Sequence, residues 1–146
     1  MLAASQTNPS TMNFLKLGFL ANPELGLLIL RAWLGLTMLI NHGIPKMMHF
    51  AETAAKFPDP FGMGSKASLG LALFAEVICS ALLVVGFFTR FAALALAITM
   101  GTAFLLVHKA SLTTGPGSGE LAFTYLAGYL TLLFAGAGRY SVDGDD

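Results

Sequence analysis

Four long apolar stretches dominate the chain. They run over about Leu25–Ile44, Ser68–Phe88, Phe91–Val107 and Leu121–Ala137. Asn22-Pro23 and Pro45-Lys46 bound the first, Thr89-Arg90 ends the second, His108-Lys109 closes the third and Gly138-Arg139 the fourth. At a helical rise of 1.5 Å per residue each reaches roughly 26–32 Å, close to a hydrocarbon core of roughly 30 Å. No period-two alternation marks a strand, and lipid offers no hydrogen-bond partner to an open backbone, so helix is the expected form.

The spacing predicts an all-α, antiparallel bundle of four transmembrane helices with both termini on one side. Segments two and three are divided only at Thr89-Arg90, which forces a tight hairpin. A long loop of about residues 45–67, with Pro58-Asp59-Pro60, Gly62 and Gly64, is expected to turn. Gly115-Pro116-Gly117-Ser118-Gly119 follows no strand and reads as a loop. Residues 1–22 are expected to be an N-terminal arm, with a short interfacial helix over Met12–Ala21; residues 23–140 are the membrane domain and 141–146 a tail. No signal peptide is evident.

Composition agrees with lipid as the solvent. Of 146 residues, 55% are hydrophobic and 11% charged, against about 25% charged in a soluble domain. The mean hydropathy is +0.73. Eight basic and eight acidic side chains cancel, which excludes the basic field that nucleic acid requires. Lysine and arginine divide almost evenly between the two sides, so orientation is not set by charge. Cys79 stands alone, which excludes an intrachain disulfide and reads as a small buried apolar residue.

Two ionisable residues fall inside the apolar segments, Arg31 in the first and Glu76 in the second. Each costs about 2.5–3.5 kcal/mol at the bilayer centre, so each is expected to face inward and find a partner. Their depths differ by about six residues, or roughly 9 Å, which a long arginine side chain could bridge. The pair admits two readings, a proton-handling or ligand-anchoring site and a structural ion pair. Arg31, Gly35, Met38 and His42 share one face of the first helix, and Glu76 and Ser80 one face of the second. Glu120, Thr124, Gly128, Thr131 and Ala135 line a face of the fourth helix that is expected to pack inward.

A polar cluster is expected at the loop side from His42, Lys46, His49, His108, Lys109 and Glu120. Histidine beside glutamate could pass protons to and from a quinone head. Ordinary membrane-interface residues are the alternative. The histidines could also ligate a metal or haem, but three dispersed ones without an i,i+4 pair make a weak metal signature, and no metal site is assigned. No phosphate-cradling loop, dinucleotide fingerprint or nucleophile elbow is present.

These residues resemble the DoxX family of small four-helix membrane proteins. The resemblance rests on Leu30-Arg31 to Gly35, His42-Gly43 with Lys46 and Phe50, and Phe74-Ala75-Glu76. It continues through Gly86-Phe87 with Thr89-Arg90-Phe91-Ala92 and the ending Ala137-Gly138-Arg139-Tyr140-Ser141-Val142-Asp143, with Ala137 where the family often has proline. It spans about residues 25–143. The resemblance implies a multi-pass protein of the bacterial inner membrane. Some members are subunits of a thiosulfate:quinone oxidoreductase, some are partners of oxidant-detoxifying enzymes, and distant relatives look like assembly helpers.

The reading is therefore a membrane redox subunit that is at most part of a quinone-linked oxidoreductase. Its partners are the lipid bilayer and other membrane subunits. No cofactor is encoded, and a bound quinone is the one the reading allows. Glu76 and His42 are the candidate catalytic proton carriers; Arg31, Lys46, His108 and Glu120 are the candidate ligand-binding residues. A non-catalytic anchor or assembly subunit is the alternative, and a small-molecule transporter a weaker third.

Overall fold

The computed structural model describes residues 21–144, and the expected interfacial helix lies outside them apart from its last residue. All regular secondary structure among the described residues is helical, without strands. Helix α1 runs over Pro23–Met48, α2 over Phe50–Lys56, α3 over Ser65–Val85, α4 over Thr89–Val107 and α5 over Glu120–Ala135. Helices α1, α3 and α4 are long and apolar enough to cross a membrane; α5 is apolar but has 16 residues.

Local sequence explains the boundaries. Pro23 opens α1 at a position where its missing N–H costs nothing, and the Asn22 side chain accepts from the Leu25 amide at 3.1 Å. The helix does not stop at Pro45, where the sequence pattern places its end. A widened π-type turn over Leu39–Gly43 precedes the proline, and such turns accommodate the lost i→i−4 bond. The break comes at His49, and α2 then fills part of the expected long loop. The hairpin between α3 and α4 turns on Gly86, whose φ of +75° suits glycine, and on Phe88 at φ +48°. Helix α5 ends before Gly136, at φ +86°, so a glycine supplies the stop that proline often supplies in the family pattern.

Packing is antiparallel around one core. Gly35 of α1 lies against Ser80 and Val84 of α3, while Gly43 lies against Glu76 and Val77. Arg90 of α4 donates to the Leu133 carbonyl of α5, and Phe104 meets Phe123 at the other end. Leu34 fits over Gly128. The core holds Met38, Leu83, Leu96, Met100, Tyr129 and Leu132. Outward, Trp33, Ile40, Ile98 and Phe134 are among the large apolar residues left exposed. Apolar groups on the outside and the Lys46–Glu76 ion pair inside suit a lipid solvent.

The inward stripe expected on the first helix holds for Arg31, Gly35 and Met38, which are buried, and His42 is half-buried. Glu76 and Ser80 are both buried, as is Cys79. The stripe expected on the fourth helix is wrong. Glu120, Thr124, Thr131 and Ala135 face outward, and Ala122, Tyr125, Tyr129 and Leu132 fill the core. Thr124 and Thr131 donate to the carbonyls of Glu120 and Ala127, each at 2.9 Å. A hydroxyl bonded within its own helix no longer needs an inward partner. Only Gly128 serves the close approach expected of that face.

The approach of Gly43 to the α3 backbone yields a prediction. A Cβ on Gly43 would meet the Glu76 carbonyl oxygen at 2.6 Å, whereas one on Gly70 meets nothing within 4 Å. Gly43→Ala should destabilise by about 1–3 kcal/mol through overpacking. Gly70→Ala should be neutral, or stabilising by up to about 1 kcal/mol. Denaturant titration of the two purified variants in detergent, followed by circular dichroism, checks the contrast.

Candidate functional site

Two polar centres occupy opposite ends of the bundle. At the α1 C-terminal end, Lys46 and the buried Glu76 form an ion pair, with Nζ donating to Oε1 at 2.6 Å and to Oε2 at 2.8 Å. The close approach of Gly43 to α3 brings these two residues together. His42 lies one turn before Lys46, and its ring stands edge-on to Tyr125 at 6.0 Å between centroids. Tyr125 stacks on Tyr129 at 5.8 Å. An imidazole and two phenols thus extend from the ion pair into the core.

A cleft of about 280 Å³ begins at this pair, just under the roughly 300–1,000 Å³ of small-molecule sites. Leu71, Ala72 and Glu76 of α3 form one wall, and Ile98, Thr99 and Met100 are on the other, from α4. The segment 57–63 roofs it with Phe57, Phe61 and Met63, and His108 stands at its end. Asp59 staples this roof to the start of α3. Its carboxylate accepts from the Met63 amide at 3.0 Å, the Gly64 amide at 2.8 Å and the Ser68 hydroxyl at 2.8 Å. The Ser68 hydroxyl, then the loop amides, hold that carboxyl below its ordinary range.

Arg31 does not pair with Glu76. It is fully buried at the other end, where Nη2 donates to the Tyr140 carbonyl at 2.5 Å. Its guanidinium packs under Gly86, and its charge acts on Asp143. The depth offset was too large, and Lys46 reaches Glu76 first. Residues 138–144 form a strap over this end. The Arg139 amide donates to Glu24 Oε2 at 2.6 Å, and Asp143 accepts from the Phe88 and Thr89 amides, each at 2.8 Å. The strap therefore caps the N-terminus of α4.

The expected polar cluster forms only in part. Lys46 and His108 line the same cleft. His49 turns back to the Pro45 carbonyl, and His108 bonds the Gly117 carbonyl at 2.9 Å. Glu120 is exposed and does not line the cleft. Among the described residues no group of three or more His, Cys, Asp or Glu could hold a metal ion. Sequence reasoning missed the roof and the strap. Pro58-Asp59-Pro60 just before Ser65–Ser68 was the available signal for the first, and the Ser-x-Asp ending the signal for the second.

Asp143 gives a pH prediction. Burial works against its charge, but the Thr89 and Phe88 amides and the Arg31 charge outweigh that and hold the carboxyl below its usual range. A depressed folded-state pKa contributes stability above the unfolded value of about 3.9, lost as pH falls through the folded value. The wild-type chain should therefore lose part of its thermal stability on acidification below about pH 4. Asp143→Asn should be less stable at pH 7 and lose less between pH 7 and pH 3. Melting curves in detergent at the two pH values check this.

Two relatives from Haemophilus influenzae are both described only as an uncharacterized protein. One is 34% identical over 96 residues, covering 64% of this chain and 64% of the relative. The other is 32% identical over 120 residues, covering 73% of this chain and 80% of the relative. No solved structure matches. The family profile of DoxX matches residues 26–109, which hold Arg31, His42, Lys46, Glu76 and His108. This chain belongs to the DoxX family.

Proposed function

We propose that the chain is the integral subunit of a quinone-linked redox system in the bacterial inner membrane. All four long helices cross the bilayer in this reading, with both termini on one side, and the lipid and further membrane subunits are its partners. The observation that carries the reading is the apolar cleft between α3 and α4 that ends on the Lys46–Glu76 pair. A carboxylate 3% exposed within a membrane helix is costly unless paired, and intramembrane ionisable residues mark ligand or proton pathways.

The residues present fit a quinone head. The cleft walls are apolar, and its polar end offers an ammonium donor backed by a carboxylate. A quinone, when bound, would supply two-electron chemistry coupled to protons, with electrons passed to or from a partner subunit. Lys46 would hold the head. Glu76, buried behind Lys46, would store a proton, and His42, half-buried one turn away, would exchange it with the aqueous side. His108 would border the far end of the cleft. Arg31 is assigned to the strap rather than to the ligand.

A second reading has its own support. Lys46 and Glu76 satisfy each other, and Arg31 is engaged by the strap, so the polar groups could serve only to hold an anchor or assembly subunit together. Glu76→Gln separates the two. On the redox reading, the variant reaches wild-type levels in the membrane, and quinone reduction by those membranes falls about 10²–10⁴-fold, the usual contribution of a positioned proton carrier. Loss of the protein from the membrane, with residual quinone reduction in proportion, supports the anchor reading instead.

A further inference from the structure

The polar end of the cleft presents a donor and no net charge. An ammonium has three N–H donors and no acceptor. Two point at Oε1 and Oε2 of Glu76, which leaves one. Lys46 is 27% exposed and Glu76 3%, so an occupant meets the cation first, with the carboxylate behind it. The ammonium also stands 5.8 Å from the Phe57 ring centroid, within cation–π range. Of the other polar groups on the walls, Ser68, Thr99 and His108 are engaged elsewhere, and the Thr102 hydroxyl is a further one. Ser68 donates to Asp59, Thr99 to the Ala95 carbonyl, and His108 bonds Gly117.

The mouth of the cleft is framed by apolar residues that are themselves exposed. Leu71 of α3 is 58% exposed and Ile98 of α4 is 61%, and both line the cleft. Both lie on helices apolar enough to cross a membrane. An opening framed by such residues faces acyl chains rather than water.

We propose that the cleft takes a neutral amphiphile from the lipid, entering sideways between Leu71 and Ile98, and selects it by charge balance at Lys46–Glu76. The head carries a carbonyl oxygen that accepts the remaining Lys46 N–H. This rests on the quinone-site reading and adds the entry route and the rule of selection. The pair sums to zero, and a neutral head keeps it there. An organic anion would bring the site to −1 and a cation to +1, each an uncompensated charge in a low dielectric.

Three probes of similar tail length test the rule: a decyl-substituted benzoquinone, dodecanoate and dodecyltrimethylammonium. Each is titrated calorimetrically into the purified chain in lipid nanodiscs, with protein-free nanodiscs as the blank. The benzoquinone is expected to bind at least tenfold more tightly than either ion. In Glu76→Gln, which leaves the Lys46 charge alone, dodecanoate should gain at least tenfold and become the preferred probe. Leu71→Trp and Ile98→Trp, which change no charge, should each weaken benzoquinone binding at least fivefold. Ions that match the benzoquinone in the wild-type chain overturn charge selection while the cleft stands as a binding site. Unchanged binding in both tryptophan variants overturns lateral entry. Binding of none of the three probes overturns the inference together with the quinone reading. The wild-type comparison decides the charge rule even if a variant fails to fold.

Discussion

The Lys46–Glu76 ion pair is the constraint around which the rest of the bundle is arranged. A carboxylate within an apolar helix needs a cation, and pressing α1 against α3 brings Lys46 to it. That approach demands glycine at position 43, where a side chain would strike the Glu76 carbonyl. It also demands that α1 continue past Pro45 to Lys46, which the widened turn over Leu39–Gly43 permits. Sequence, helix geometry and pairing thus agree at one point, the kind of consistency across levels that specifies a fold.

The opposite end solves the same problem differently. Arg31 is fully buried, yet its hydrogen-bond partner comes from the strap beyond α5. The Tyr140 carbonyl and the Asp143 carboxylate reach back 109 and more residues along the chain. Gly86 lies directly over the guanidinium, so the turn between α3 and α4 closes the site. The two charged ends are thereby separate devices: one clamps the strap, and the other opens on a cleft.

Much of the fold was legible because lipid imposes a coarse rule. Runs of 17 to 21 apolar residues can only be helices there, and the four stretches correspond to α1, α3, α4 and α5. The inward positions of Arg31, Gly35 and Glu76 followed from cost alone. What the pattern could not supply was partnership. Arg31 and Lys46 competed for Glu76, and depth along the helices, rather than charge, decided between them. The face of α5 was misread because threonine in lipid can bond to its own helix, leaving tyrosine for the core. The roof over the cleft depends on Asp59 bonding three residues at once, a feature of turn geometry that hydrophobic periodicity does not record.

A double-mutant cycle at the pair tests the central claim most directly. Lys46→Met, Glu76→Leu and the double variant would each be unfolded by denaturant in detergent micelles and compared with the wild-type chain. Lys46→Met should cost about 3–5 kcal/mol, because it leaves the buried Glu76 carboxylate alone; Glu76→Leu should cost less, because Lys46 is partly exposed; and the double change should restore most of the larger loss. Independent, additive losses in the double variant would contradict the claim that these two residues hold each other within the membrane.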